Sequence, residues 1–136
     1  PDGGVLGLLD FAASPQANNF SHANALLQTT AAIIEHRLIE TDEEGYLVLH
    51  FHTNVGMLGS PLEALAVFDC DSRLLASNRV ASNLLALEST TRPVKSPDCF
   101  RTHWAGLVDQ ASAHRTEPFM LRAHRGGSFF ARASLR

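Results

Sequence analysis

Residues Ala64 to Phe68 read Ala-Leu-Ala-Val-Phe, five apolar side chains in a row with Asp69 directly behind them. Successive side chains of a strand point to opposite faces, so a strand without a polar position needs cover on both. It is therefore expected at the centre of a sheet, and the rest of the chain must supply neighbouring strands and covering layers. The residues that follow begin to do so. Cys70-Asp71-Ser72 has turn chemistry, and Arg73 to Ser77 returns as the second strand of a hairpin. Asn78 then stands where a helix needs an N-cap, because its side-chain oxygen can accept a free amide of the first turn. The helix it opens carries Val80, Leu84, Leu85 and Leu87 on one side.

Upstream, Tyr46 to His52 (YLVLHFH) is rich in strand formers and ends in a connection broken by Gly56, Gly59 and Pro61. Before it, from Phe20 to Glu40, the apolar period is helical: Ala23, Leu27, Ala31, Ile34 and Leu38 form one stripe, flanked by Leu26, Ile33 and Ile39. Asn19 or Ser21 can cap its start, and Gly45 ends it. Such a stripe fits a helix packed on its own domain, and its three-four spacing equally fits a dimer-forming linker. Further upstream still, Gly4 to Phe11 is a short apolar run with the signature of a buried strand.

Downstream, the polar stretch Glu88 to Pro97 is a long connection. A helix capped by Asp98 is expected next, with Phe100, Trp104, Leu107, Val108 and Ala111 at three- and four-residue intervals. The period then returns to two, with Phe119, Leu121 and Ala123 alternating against Met120, Arg122 and His124. Gly126-Gly127 permits a tight hairpin, and Phe129 to Leu135 is the returning strand. The fold expected is α+β: an antiparallel sheet with short flanking helices, preceded by a long amphipathic helix.

Composition excludes several function classes. Of 136 residues 45% are hydrophobic and 18% charged, the balance of a folded globular domain. The net charge is -3, and its eleven cations are scattered, so no surface neutralises a row of phosphates and direct nucleic-acid binding is not expected. Phe20 to Ile39 is interrupted by His22, Gln28, Glu35, His36 and Arg37, which excludes a bilayer span. Cys70 and Cys99 stand in no metal or redox spacing and fit a reducing, cytoplasmic setting. Gly-x-Ser-x-Gly elbows, phosphate-binding loops and dinucleotide glycine patterns are all missing, so an enzyme is not expected and no catalytic residue is assigned.

Taken as a unit, ALAVFDCDSRLLASNRVASNLLAL (Ala64 to Leu87) resembles the opening of a PAS domain: strand, acidic turn, strand, Asn-capped helix. The Phe100 to Ala111 helix and the later hairpin look like the later helix and strands of that fold. Ser72 departs from the pattern, because PAS turns often have glycine there. A PAS domain also closes with one further strand. The resemblance therefore implies either a sheet lacking that strand or one that Tyr46 to His52 completes. GGVLGLLDFAASPQ followed by HANALLQTTAAIIEHRLIE is similar to the last strand and helix of a GAF domain. Together these resemble the sensor region of acetoin-catabolism-type sigma-54-dependent activators. On that resemblance residues 1–16 are the last strand of a truncated GAF-like domain, 17–44 a linker helix, and 45–136 a PAS-like sensor domain. It implies a homodimer, a small-molecule ligand of unknown identity, and ATPase and DNA-binding domains elsewhere in the parent chain. Phe68, Leu75, Leu84, Phe100, Trp104, Leu107 and Leu121 either fill the core or line a cavity between sheet and helices. The dimer seam would be Ala23, Leu27, Ala31, Ile34 and Leu38.

Seven histidines raise a metal or haem alternative. His50 and His52 share a strand face, but two ligands make no site, and no metal ligand is assigned. His36 is expected in solvent or at the helix seam. His103, beside Trp104 on the expected cavity helix, has the residue type of a haem ligand, although Arg101 and Thr102 make its surroundings polar.

Overall fold

The computed structural model describes residues 8, 20–41, 45–87, 92–113 and 116–136. The strand expected over Gly4 to Phe11 lies outside them, Leu8 apart, as do Asn19 and the side chain of Ser21. The chain is α+β, with a PAS-like antiparallel sheet, short flanking helices and a long N-terminal helix. Helix α1 spans Phe20–Thr41 and β1 Leu47–His52. A 3₁₀ turn at Val55–Met57 leads to β2 (Ala64–Phe68) and β3 (Leu74–Ser77). Helices α2 (Arg79–Leu85), α3 (Ser96–Cys99) and α4 (Trp104–Ser112) precede the hairpin of β4 (Phe119–Arg122) and β5 (Ser128–Leu135).

The five strands lie in the order β3-β2-β1-β5-β4, all neighbours antiparallel. Tyr46 to His52 thus completes the sheet from its centre: Leu49 pairs with Ala66 on one side and Ala133 on the other. The demand set by β2 is met, since all five of its residues are buried. Alternation sends Ala64, Ala66 and Phe68 into the main core with Leu49, Phe51, Ala81, Leu85, Phe100, Leu107, Leu121 and Phe129. Leu65 and Val67 go to the opposite face, where Ile39 of α1 joins Val48 and Ala76 in a second, smaller cluster. Helices α2 and α4 therefore cover one face, and the C-terminal half of α1 covers part of the other.

Two turns rest on glycine. Gly126 and Gly127 have φ of 93° and 94°, which lets β4 and β5 join tightly. Gly45, with φ of 118°, admits the chain beside β2, where a Cβ would collide with Cγ1 of Val67. Ser72, the departure from the PAS-like pattern, takes a left-handed φ of 65° itself. An L-residue there carries a cost that glycine avoids, and Ser72→Gly is expected to stabilise the fold by about 0.5–1 kcal/mol in denaturant unfolding. A variant less stable than the wild type would show that the Ser72 side chain supplies more than its backbone costs.

Three expectations need correction. The single helix from Phe100 to Ala111 is two: Asp98 belongs to α3, where its carboxylate accepts from the Lys95 amide at 2.9 Å, and α4 starts only at Trp104. Between them Phe100 is extended and bridges Ala123, because its ring has to enter the core beneath the sheet. Leu75 is not a core residue but 38% exposed. The pairing of β2 with β3 shifts register at Val67/Phe68, so that Phe68 meets Leu74 and Val67 meets Ala76; Leu75 is the extra residue left facing out. His36, expected in solvent or at a helix seam, is buried.

Candidate functional site: a His-Glu-His junction between helix and sheet

The polar centre of the molecule lies where α1 crosses the sheet. Glu63 immediately precedes β2 and is 2% exposed. Its backbone and side chain are anchored separately. The carbonyl accepts from Nδ2 of Asn78 at 2.8 Å, while Oδ1 of the same asparagine accepts from the amides of Leu65 at 3.0 Å and Ala81 at 2.9 Å. One side chain therefore caps α2 and clamps the start of β2. The Glu63 carboxylate takes three further contacts: Oε1 lies 2.7 Å from Nδ1 of His50 and 3.2 Å from Nε2 of His36, and Oε2 accepts from the Gly59 amide at 2.6 Å.

Burial pushes the Glu63 carboxyl upward, but the bonds from His50 and Gly59, the charge of His50 and the bond from His36 outweigh it. The group sits below the ordinary carboxylate range. A buried carboxylate is costly unless paired and hydrogen-bonded, and here both conditions hold. His36 reaches the site because it lies three residues before Ile39, on the one stripe of α1 that meets the sheet; its own exposure is 7%. Its Nδ1 faces Oε2 of Glu40 at 3.5 Å. Glu35, on the adjacent flank, accepts from the Arg79 amide at 2.9 Å, so α1 also holds the first turn of α2. Arg136 donates to the Ile39 carbonyl at 2.6 Å and ties the chain's end to the same helix.

The expected site residues divide into groups. Phe68, Phe100, Leu107 and Leu121 are buried together in the main core, and Leu84 and Trp104 pack against it; Leu75 stands apart. Trp104 tilts against Phe68, ring centroids 5.9 Å apart. On α1, Ala23 and Leu27 are half-buried, and Ala31, Ile34 and Leu38 are exposed. From His22 to Ile34 no side chain is buried, so the expected seam lies uncovered on the flank away from the sheet. His103 occupies the N-cap of α4 and is exposed. Cys99 is buried and its thiol is pushed up to about 11, chiefly by desolvation and then by Asp98, which leaves it unreactive near neutral pH.

The junction itself was not legible as a site. His50 and His52 do share a face, but His52 accepts from the Asn54 amide at 3.0 Å and turns to the 3₁₀ turn. His50 instead bonds Glu63, 13 residues after it, and His36, 14 residues before it, reaches the same carboxylate oxygen. The one available signal was a glutamate directly in front of a wholly apolar strand, a charge with nowhere to go but inward. No helix among the described residues is long and apolar enough to cross a membrane. In comparisons with known proteins, no family model, curated protein or solved structure matches the chain.

Proposed function

We propose that this is a sensory, regulatory domain of the type found in sigma-54-dependent bacterial transcriptional activators. It works without catalysis, through dimerisation and through ligand- or partner-dependent docking of α1. The observation that carries the reading is how α1 is held. Its C-terminal half meets the sheet and α2 through Ile39 and a polar junction, while Leu26, Ile33, Ile34 and Leu38, between 41% and 58% exposed, face away. A helix gripped mainly by polar groups on one side and apolar on the other has two partners to choose between. A signal can then act by stabilising one arrangement over the other, which requires unequal affinity for the two. Aromatic residues Phe68, Phe100 and Trp104 beneath the sheet are where a small-molecule ligand would be felt. ATPase and DNA-binding domains would receive the output, and neither nucleic acid nor membrane is contacted by this part.

The test is association. The wild-type chain is expected to be dimeric by light scattering at roughly 10 µM, the regime of micromolar dissociation constants. Leu27→Asp and Ile34→Asp are expected to be folded monomers, because a charge in an apolar seam is costly while neither side chain belongs to the core. A monomeric wild type, or unchanged mass in both variants, overturns the dimer. Thermal-shift screening of metabolites separates sensor from scaffold: if the dimer stands and no ligand stabilises it, the domain is a purely structural dimerisation module.

A further inference from the structure

We infer that His36, His50 and Glu63 form a binding site for a divalent transition-metal ion, with zinc the best match, bolting α1 to the sheet. The inference stands independently of the regulatory reading, which holds with or without an ion. Three donor atoms from α1, β1 and the residue before β2, two imidazole nitrogens and a carboxylate oxygen, lie within 4.8 Å of one another. Tetrahedral zinc with bonds of about 2.0–2.1 Å places its donors about 3.3 Å apart. The 3.2 Å separation already matches that spacing, the 2.7 Å pair has to open by about 0.6 Å, and the two imidazole nitrogens, within 4.8 Å of each other, have to close, which ring rotation would supply. Two nitrogens and one oxygen suit zinc and its transition-metal neighbours, whereas calcium and magnesium require oxygen sets.

The surrounding contacts are those that orient metal ligands. Glu40 lies 3.5 Å from Nδ1 of His36, where it would hold the ring's outer nitrogen once Nε2 turns from Glu63 to an ion. The Gly59 amide holds Oε2 of Glu63 and leaves Oε1 inward. His36 and Glu63 are buried, and the His50 side chain, 22% exposed, marks the solvent side, where a fourth ligand from water or a partner would enter. Binding replaces the hydrogens now shared between the two imidazoles and Glu63, so the ion and the hydrogen-bonded triad are alternative occupants of one centre.

The chelator-treated protein, titrated with zinc chloride alone, is expected to bind one equivalent and to melt at a higher temperature. Long-range proton–nitrogen spectra of the wild type should show zinc-dependent shifts at Nε2 of His36 and Nδ1 of His50. His36→Gln and His50→Gln should each weaken binding by about 100-fold or more, and Glu40→Gln by about 10-fold, the usual loss for a group that orients a ligand. His52→Ala should bind as the wild type does. Absence of stoichiometric binding, or nitrogen shifts confined to other histidines, overturns the site. The wild-type spectra decide the matter even where a glutamine variant fails to fold.

Discussion

Truncating Phe51 to alanine is expected to lower stability by about 4 kcal/mol, the range for a fully buried aromatic residue whose loss leaves a cavity. Phe51 is 0% exposed, next to the C-terminal end of the middle strand. Its cross-strand neighbours are Ala64 on β2 and Ala131 on β5, and the ring occupies the room that these two small residues leave. It meets Phe100 edge-on at 5.7 Å between centroids and Phe129 at 5.3 Å. Phe51→Ala would set three alanines side by side across the sheet. Phe51→Leu, which keeps most of the volume, should cost roughly 1–2 kcal/mol. Guanidinium unfolding followed by circular dichroism measures both. A loss under about 2 kcal/mol for alanine would mean that the site collapses around the missing ring and that the core is less rigid than its packing indicates.

Asn78→Ala is expected to cost about 3 kcal/mol, more than a helix cap alone, which contributes about 0.5–2. The excess comes from the two other groups that the side chain satisfies. Without it the Leu65 amide and the Glu63 carbonyl are left unpaired beside buried strand β2, each a loss of about 1–3 kcal/mol before relaxation. Because Glu63 is anchored through that carbonyl, the variant should also loosen the junction with α1. Faster amide exchange around Ile39 is the expected signature. An unfolding curve displaced by less than about 1 kcal/mol would show that water replaces the amide group at all three contacts.

The sheet was legible for a definite reason. Ala64 to Phe68 has no polar position, and Phe119 to Ala123 alternates with period two, so local pattern alone assigned strand, face and hairpin. Asn78 was legible as a cap, but its reach to Glu63 and Leu65 was not, since a cap is a local event and those contacts span 15 and 13 residues. Leu75 was misplaced because the hairpin contains a bulge, which turns it outward and leaves no local sign in the sequence. Phe100 was misplaced because three- and four-residue spacing continues across a helix break.

By itself the sequence determined an α+β chain with an apolar strand inside the sheet, an Asn-capped helix and a long amphipathic N-terminal helix, because periodicity and capping are properties of neighbouring residues. Only the tertiary structure decided which stripe of α1 meets the sheet, that Tyr46 to His52 lies at its centre, and that His36 and His50 converge on Glu63. Those outcomes depend on which distant surfaces are buried together, and a buried carboxylate selects its partners by the balance of desolvation against hydrogen bonding, which no local pattern encodes.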